Sequence, residues 1–283
     1  MTVTNYYLPG SLAEALDLLG RHGPDLLVMA GGTVAMPLIN EGISLPARVM
    51  GLRRAGLDTM ERAGDELRIG ATVTLTRLLE QDDVPLLRRA ASRTASWSIR
   101  NMGTVGGNLF TPPPGGDVAT ALLALDASVV LQGPAGERVV PLAAFLTGFM
   151  TNDLRPDELV TSIRVPVEAG QVAFVKLGRK AANTPAVVTV AVHLARDGER
   201  VTRARIALGA AGPHPIRALA AEAILQGTTL DAAAVTDAAA AAARDCGPFT
   251  DAVASAWYRR RMVAVVVKRA LSELAAPGAG REA

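Results

Sequence analysis

At 283 residues, with 49% hydrophobic and 20% charged side chains, the chain is long enough for roughly two domains and a sizeable core, and it is globular rather than disordered. Its 29 basic and 27 acidic residues leave a net charge of +2, and aromatics make up only 4%, which excludes the clustered basic and aromatic surface of a nucleic-acid binder. One cysteine, Cys246, and three scattered histidines supply neither a disulfide framework, nor the ligands of an iron–sulfur cluster, nor any metal-ligand spacing.

The N-terminal Met-Thr-Val-Thr-Asn-Tyr-Tyr lacks the basic and apolar regions of a signal peptide. No run of about 18 apolar residues is present, so the expectation is a cytoplasmic chain with no transmembrane segment. Ser11-Leu-Ala-Glu14 is a capping box, and Leu12, Ala15, Leu16 and Leu19 follow at helical spacing up to Gly20 or Gly23. Residues 26–30 read as a strand that runs into Ala30-Gly-Gly-Thr33, where Thr33 is expected to cap a helix over 34–39. Strand, glycine pair and capped helix point backbone N–H groups and a helix N-terminus at one spot. Taken alone, Gly-Gly-Thr is an ordinary turn. No Gly-Lys-Ser/Thr follows it, and neither glycine stretch of the chain fits G-x-G-x-x-G, so neither a P-loop nor a Rossmann site is indicated.

Residues 47–50 read as a strand, 57–60 and 67–69 as a hairpin around Ala63-Gly-Asp65, and 74–80 and 85–95 as helices. The stretch from Ile99 to Asp117 then carries five glycines and three consecutive prolines, which exclude a regular helix or an internal strand. Gly103, Gly106 and Gly107 allow positive φ and let a ligand approach the backbone, with successive free N–H groups expected to form a nest for phosphate. Thr104 adds a hydroxyl, Asn108 an amide expected to fix hydroxyls, and Asp117 a carboxylate. A carboxylate repels phosphate, so Asp117 suits ribose or ribityl hydroxyls; it equally fits as the N-cap of a helix over 118–125, and it can do both. Trp97 either lines the ligand or belongs to the core.

Further on, 127–131 and 138–140 bracket a hairpin, 141–146 a short helix and 159–165 a strand. At 166–170 the pattern changes to three strands, 173–179, 186–195 and 201–209, the last two joined by Arg196-Asp-Gly-Glu199. Helices over 218–225, 230–245 and 253–274 complete an α+β layer, with a domain boundary near 168. The basic run Arg259-Arg-Arg261 reads as a solvated helix face. Roughly 70 residues apart, the two glycine loops share one design, and facing each other they would clamp the diphosphate of a dinucleotide.

Ala30-Gly-Gly-Thr33 and Ile99-Arg-Asn-x-Gly-Thr-Val-Gly-Gly-Asn108, followed by Asp117, closely resemble the FAD-binding medium subunit of molybdenum hydroxylases. That family includes aerobic carbon monoxide dehydrogenases and the flavin domain of xanthine dehydrogenases. The resemblance covers nearly the whole chain, with Glu158-Leu159, Phe174-Val-Lys176, Arg179 and Tyr258-Arg259 in the expected order. It implies an α+β protein with an FAD-binding fold of the vanillyl-alcohol-oxidase (PCMH) type over 1–168, in subdomains of about 1–55 and 56–168. A C-terminal α+β domain over 169–283, a three-stranded sheet with helices, would follow.

The resemblance further implies that FAD is held by Met29, Ala30, Gly31, Gly32, Thr33, Val34, Ala35 and Met36 and by Thr104, Gly106, Gly107 and Asn108. Asp117, Val160 through its backbone, and Lys176 would complete the contacts, although Lys176 also reads as a surface strand residue. Val34 stands where the family usually has Asp, and Phe110-Thr-Pro-Pro-Pro-Gly-Gly replaces a segment that usually contains Ala-Asp-Pro. The implied partners are an iron–sulfur small subunit and a molybdopterin large subunit, assembled as a dimer of heterotrimers. The implied role is an oxidoreductase subunit passing electrons through FAD to an external acceptor, with no catalytic acid or base of its own. The alternative is an independent FAD-dependent oxidoreductase of the same fold, which would need a substrate pocket of placed polar groups that the sequence does not display.

Overall fold

The computed structural model describes residues 3–275. The chain opens with β1 (Asn5–Tyr7), α1 (Leu12–His22), β2 (Leu26–Met29), α2 (Ala35–Asn40) and β3 (Arg48–Gly51). The three strands form a parallel sheet in the order β1-β3-β2. Ser11 caps α1 by accepting from the Glu14 N–H at 3.2 Å, and the Glu14 carboxylate reaches back to the Gly10 N–H at 2.8 Å. That reciprocal box fixes where α1 starts, and its apolar face, Ala15, Leu18 and Leu19, is buried with Leu26 and Met50 of the sheet. Ligands of parallel sheets collect outside the carboxyl ends of the strands, and that is where β2 hands over to residues 30–34.

The second unit contains β4 (Met60–Ala63), β5 (Glu66–Gly70), α3 (Pro85–Arg93), α4 (Trp97–Arg100), α5 (Val105–Leu109), α6 (Asp117–Ala124), β6 (Ser128–Gly133) and β7 (Gly136–Pro141). The short α7 (Leu142–Phe145), β8 (Leu146–Gly148) and β9 (Thr151–Asn152) then lead to β10 (Leu159–Pro166). Five of these strands make an antiparallel sheet, β4-β5-β10-β6-β7, in which β10 is central and carries a bulge between Val160 and Ser162. The region expected as a helix over 74–80 is only a 3₁₀ turn, Arg77–Glu80. Every residue of α6 is buried, because this helix packs against α3 on one side and the following sheet on the other. A helix that is apolar nearly all round can sit only in such a place.

The remaining elements are β11 (Gln171–Gly178), β12 (Ala186–Asp197), β13 (Arg200–Gly209), β14 (Ile216–Arg217), α8 (Leu219–Leu225), α9 (Ala232–Asp245) and α10 (Ala256–Ala275). They form an antiparallel sheet of four strands, in sequence order, rather than the three expected. The additional strand, β14, has two residues, too short for alternation to show and placed just after Pro213 and Pro215. Helices α8 and α10 cover one face of the sheet and α9 packs on both of them, while Ala191 and Ala207 join the core around α6 on the other face.

The basic run of α10 corrects another expectation. Arg260 and Arg261 are exposed, but Arg259 is completely buried. Its guanidinium donates to the carbonyls of Ala186 (3.1 Å), Val187 (2.7 Å) and Ala210 (3.2 Å) and to Asp251 (2.7 Å), and lies over the Phe249 ring. One planar fork thus satisfies the carbonyls at the start of β12 and just beyond β13. Among the described residues, no helix is long and apolar enough to cross a membrane.

Candidate functional site

The two glycine loops meet at a half-open cavity of about 660 Å³ with chiefly apolar walls. Gly31 and the Met102–Gly103 backbone are in such close contact that a Cβ on Gly31 would lie 1.9 Å from the Met102 carbonyl oxygen. Gly32 has φ of +73°, which turns the chain from β2 into α2. Between them the backbone is left open: the N–H groups of Gly31, Gly32, Thr33, Val34 and Ala35 have no hydrogen-bond acceptor among the described residues. Thr33 does not cap α2, as the sequence led one to expect; Val34 takes the cap position, and its side chain has no acceptor to offer. The open amides at this turn suit an anionic ligand.

The second loop works differently from its expected design. Residues 105–109 form the short helix α5, and its first amides are taken by the protein: Val105 N–H by the Val73 carbonyl and Gly106 N–H by the Ala71 carbonyl, both at 2.9 Å, and Gly107 N–H by the Thr104 hydroxyl at 3.0 Å. Nor do Gly103, Gly106 and Gly107 adopt positive φ. Close approach is what demands glycine at 106, where a Cβ would lie 2.7 Å from the Ala71 carbonyl oxygen. At Gly107 a Cβ would meet only the Thr104 hydroxyl, at 2.9 Å, so the space beside it belongs to the cavity. The loop therefore contributes room and only one open backbone donor, the Thr104 N–H, which has no acceptor among the described residues.

Asn108 does not present its carbonyl oxygen to the cavity either; Oδ1 accepts from the Ala119 N–H at 2.9 Å and pins α5 to α6. Gly116, at φ of +84°, turns the chain into α6, so Asp117 is the first residue of that helix rather than its N-cap. Asp117 Oδ2 accepts from Lys176 Nζ at 2.6 Å, and Oδ1 from the Thr189 hydroxyl at 2.9 Å. Lys176 also donates to the Arg93 carbonyl at 3.2 Å, and both charged side chains are more than nine-tenths buried. Lys176 is therefore no surface residue.

Val160 closes another wall beside Glu158, which is clamped by Arg138 through two 2.7 Å hydrogen bonds. Donation from Arg138, joined by the Arg155 N–H, outweighs burial and holds the Glu158 carboxyl below the ordinary carboxylate range.

Fourteen of the fifteen residues singled out from the sequence line this cavity; the exception is Met36, the second residue of α2 and substantially exposed. Trp97 is 69% exposed and lies neither in the core nor on the cavity wall. Sequence reasoning missed the wall formed by residues 183–186. Its signal was Asn183-Thr-Pro185, a turn sequence, and Asn183 indeed adopts a left-handed φ of 47°. A chiefly apolar cavity of this volume, with an open amide turn and one buried ion pair, fits a dinucleotide with a planar head group.

Comparison with known proteins assigns the chain. Residues 2–168 match the family described as the FAD binding domain in molybdopterin dehydrogenase, and residues 173–274 match the CO dehydrogenase flavoprotein C-terminal domain. The carbon monoxide dehydrogenase medium chain of Hydrogenophaga pseudoflava is 34% identical over 94% of this chain and 95% of its own, and that of Afipia carboxidovorans 33% over the same shares. The xanthine dehydrogenase FAD-binding subunit of Escherichia coli O157:H7 is 29% identical over 98% of both. Among solved structures, carbon monoxide dehydrogenase from Hydrogenophaga pseudoflava superposes with a TM-score of 0.91 at 34% identity, covering 95% of this chain and 96% of that one. Quinoline 2-oxidoreductase from Pseudomonas putida 86 gives the same TM-score at 28% identity, covering 98% of each. The chain thus belongs to the family of FAD-binding subunits of molybdopterin-dependent dehydrogenases, oxidoreductases in which this subunit carries FAD and is not the hydroxylating one.

Proposed function

We propose that this chain is the electron-transfer flavoprotein of a cytoplasmic molybdenum hydroxylase, taking electrons from iron–sulfur clusters of a small subunit and passing them to an external acceptor. A molybdopterin large subunit would supply those electrons, in a dimer of heterotrimers. The chain would divide near residue 168 into the FAD-binding and C-terminal domains. FAD, when bound, supplies the redox chemistry; the residues of this chain bind and orient it and keep water from it.

The observation that carries the reading is the single cavity shared by both glycine loops and the Lys176–Asp117 pair. The open amides of residues 31–35 would receive the diphosphate, with Gly107 giving it room. Asp117 and Lys176 would orient the polyol and ring through their remaining hydrogen-bonding capacity, and Val160 would offer its backbone. The two charges offset each other, so the cavity wall presents hydrogen-bonding groups at little net charge.

The test is recovery of the tagged chain from the cells that make it, followed by analysis of flavin, iron and molybdenum. Stoichiometric FAD, iron and molybdenum with two further polypeptides is the expected result. A flavin-replete chain that turns over a small substrate alone and brings no metal with it would establish the independent oxidoreductase instead.

A further inference from the structure

A second cavity, about 390 Å³, lies behind the first and shares the Gly31–Thr104 wall with it. Its character is different. Two guanidinium groups, Arg53 and Arg77, line it against a single carboxylate, Asp58, so it carries a positive excess. Arg77 is held in place by donating to the Asp58 backbone carbonyl, while Arg53, which lines the same cavity, makes no hydrogen bond or ion pair among the described residues. Asn101 accepts from the Thr76 hydroxyl at 2.6 Å through Oδ1, which leaves its NH₂ as the unused, donating end.

The most telling member is Thr72. It is 8% exposed, and its hydroxyl, shut off from solvent, has no hydrogen-bond partner among the described residues. A buried hydroxyl left in that state is a standing cost of the fold that a ligand in the adjoining space can remove. Two arginines, an amide donor and an unsatisfied hydroxyl, outnumbering one carboxylate, select an anion with several acceptor oxygens over a cation or an apolar molecule.

We propose that this cavity is an oxyanion site, separate from the FAD cavity, that takes a phosphate group. The anion could arrive as free phosphate or as the phosphate of a small metabolite; the recognition chemistry is the same. Because the two sites share the loop of Ala30 and Gly31, an anion in the second would also stiffen the turn whose amides face the first.

The experiment is calorimetric titration of the FAD-replete protein with inorganic phosphate, and separately with a phosphate monoester, at low ionic strength. One saturable equivalent of inorganic phosphate is expected. Arg53→Gln and Thr72→Val should each weaken it by about tenfold or more, the loss of one charge-assisted hydrogen bond, with flavin content unchanged. Tighter binding of the ester than of phosphate would assign the source to a metabolite, and equal binding to free phosphate.

Three results would overturn the proposal. The first is no saturable binding to the FAD-replete protein. The second is binding that neither variant weakens, which marks loose attraction to surface arginines. The third is binding seen only after FAD removal and displaced by FAD, which assigns the cavity to the cofactor's own phosphates. Arg53 is exposed, so Arg53→Gln remains a fair test even where Thr72→Val fails to fold.

Discussion

Lys176 Nζ lies 2.6 Å from Asp117 Oδ2, and the pair joins β11 of the C-terminal sheet to the first residue of the central helix α6. Thr189 of β12 holds the second carboxylate oxygen, and the Arg93 carbonyl at the end of α3 holds the ammonium. Four elements therefore converge on two opposite charges at the cavity wall. A buried pair of this kind adds little over an apolar replacement of both partners, but losing one partner strands the other.

Lys176→Met should accordingly cost about 3–5 kcal/mol by leaving the Asp117 carboxylate buried without a cation. The double variant Lys176→Met/Asp117→Asn should recover much of that loss. Urea unfolding of the flavin-free proteins measures both, and additive losses in the double variant would count against the coupling.

The two glycine loops separate steric from ligand-facing demands. Gly31→Ala should destabilise the fold, since its Cβ would be forced into the Met102 carbonyl, which is backbone and cannot swing away. Gly107→Ala should cost the fold less than Gly31→Ala, since the one atom its Cβ would crowd is the Thr104 hydroxyl rather than backbone, and should weaken FAD by about tenfold or more. Flavin content and thermal unfolding, measured side by side, distinguish the two. Full FAD occupancy in Gly107→Ala would show that the diphosphate does not pass there.

Much of this was legible in the sequence because it rests on local rules. The capping box at Ser11 and Glu14, the hairpins, and the α+β change of pattern after residue 166 are set by nearby residues, and the structure reproduces them. What local rules do not carry is the destination of a hydrogen bond. The amides of α5 are spent on Ala71 and Val73, which lie more than 30 residues upstream, so a loop rich in glycine looked like a nest and is a helix. The basic run around Arg259 read as a solvated helix face; the carbonyl partners of Arg259 lie at the start of β12 and just beyond β13, 49 to 73 residues away. Local pattern showed Lys176 only as a lysine in a strand, its FAD contact coming from the family resemblance, and nothing in the sequence placed it beside Asp117, 59 residues earlier.

Arg259 makes a sharp stability test. Arg259→Met leaves the carbonyls of Ala186, Val187 and Ala210 and the Asp251 carboxylate short of a donor at once, at a cost of about 3–5 kcal/mol. Arg259→Lys should recover little, because an ammonium cannot reach four acceptors spread around a planar fork. Burial alone would push the Asp251 carboxyl up, but donation from the Ala254 N–H, Arg259 and the Val253 N–H holds it below the ordinary range. Removing Arg259 should therefore raise it, a shift that NMR titration of the Asp251 side chain reads directly. Because Ala186 also lines the cavity, flavin binding should weaken in the same variants.

Glu158 gives a pH dependence with a definite sign. Its carboxyl is held below the ordinary value of 4.5, chiefly by Arg138, so the unfolded chain binds a proton more readily than the folded one. The stability this pair supplies is fully present above about pH 4.5 and is lost as pH falls through the depressed folded value. Glu158→Gln cannot titrate, so it should be less stable than the parent by about 1.5–3 kcal/mol at neutral pH, the worth of a hydrogen bond to a charged group. The gap should close as pH drops from about 5 towards 3, because the parent loses what the variant never had. Urea midpoints for both proteins across that range decide the matter. A gap that stays constant down to pH 3 would mean that the Glu158 carboxyl is not held by Arg138 in solution.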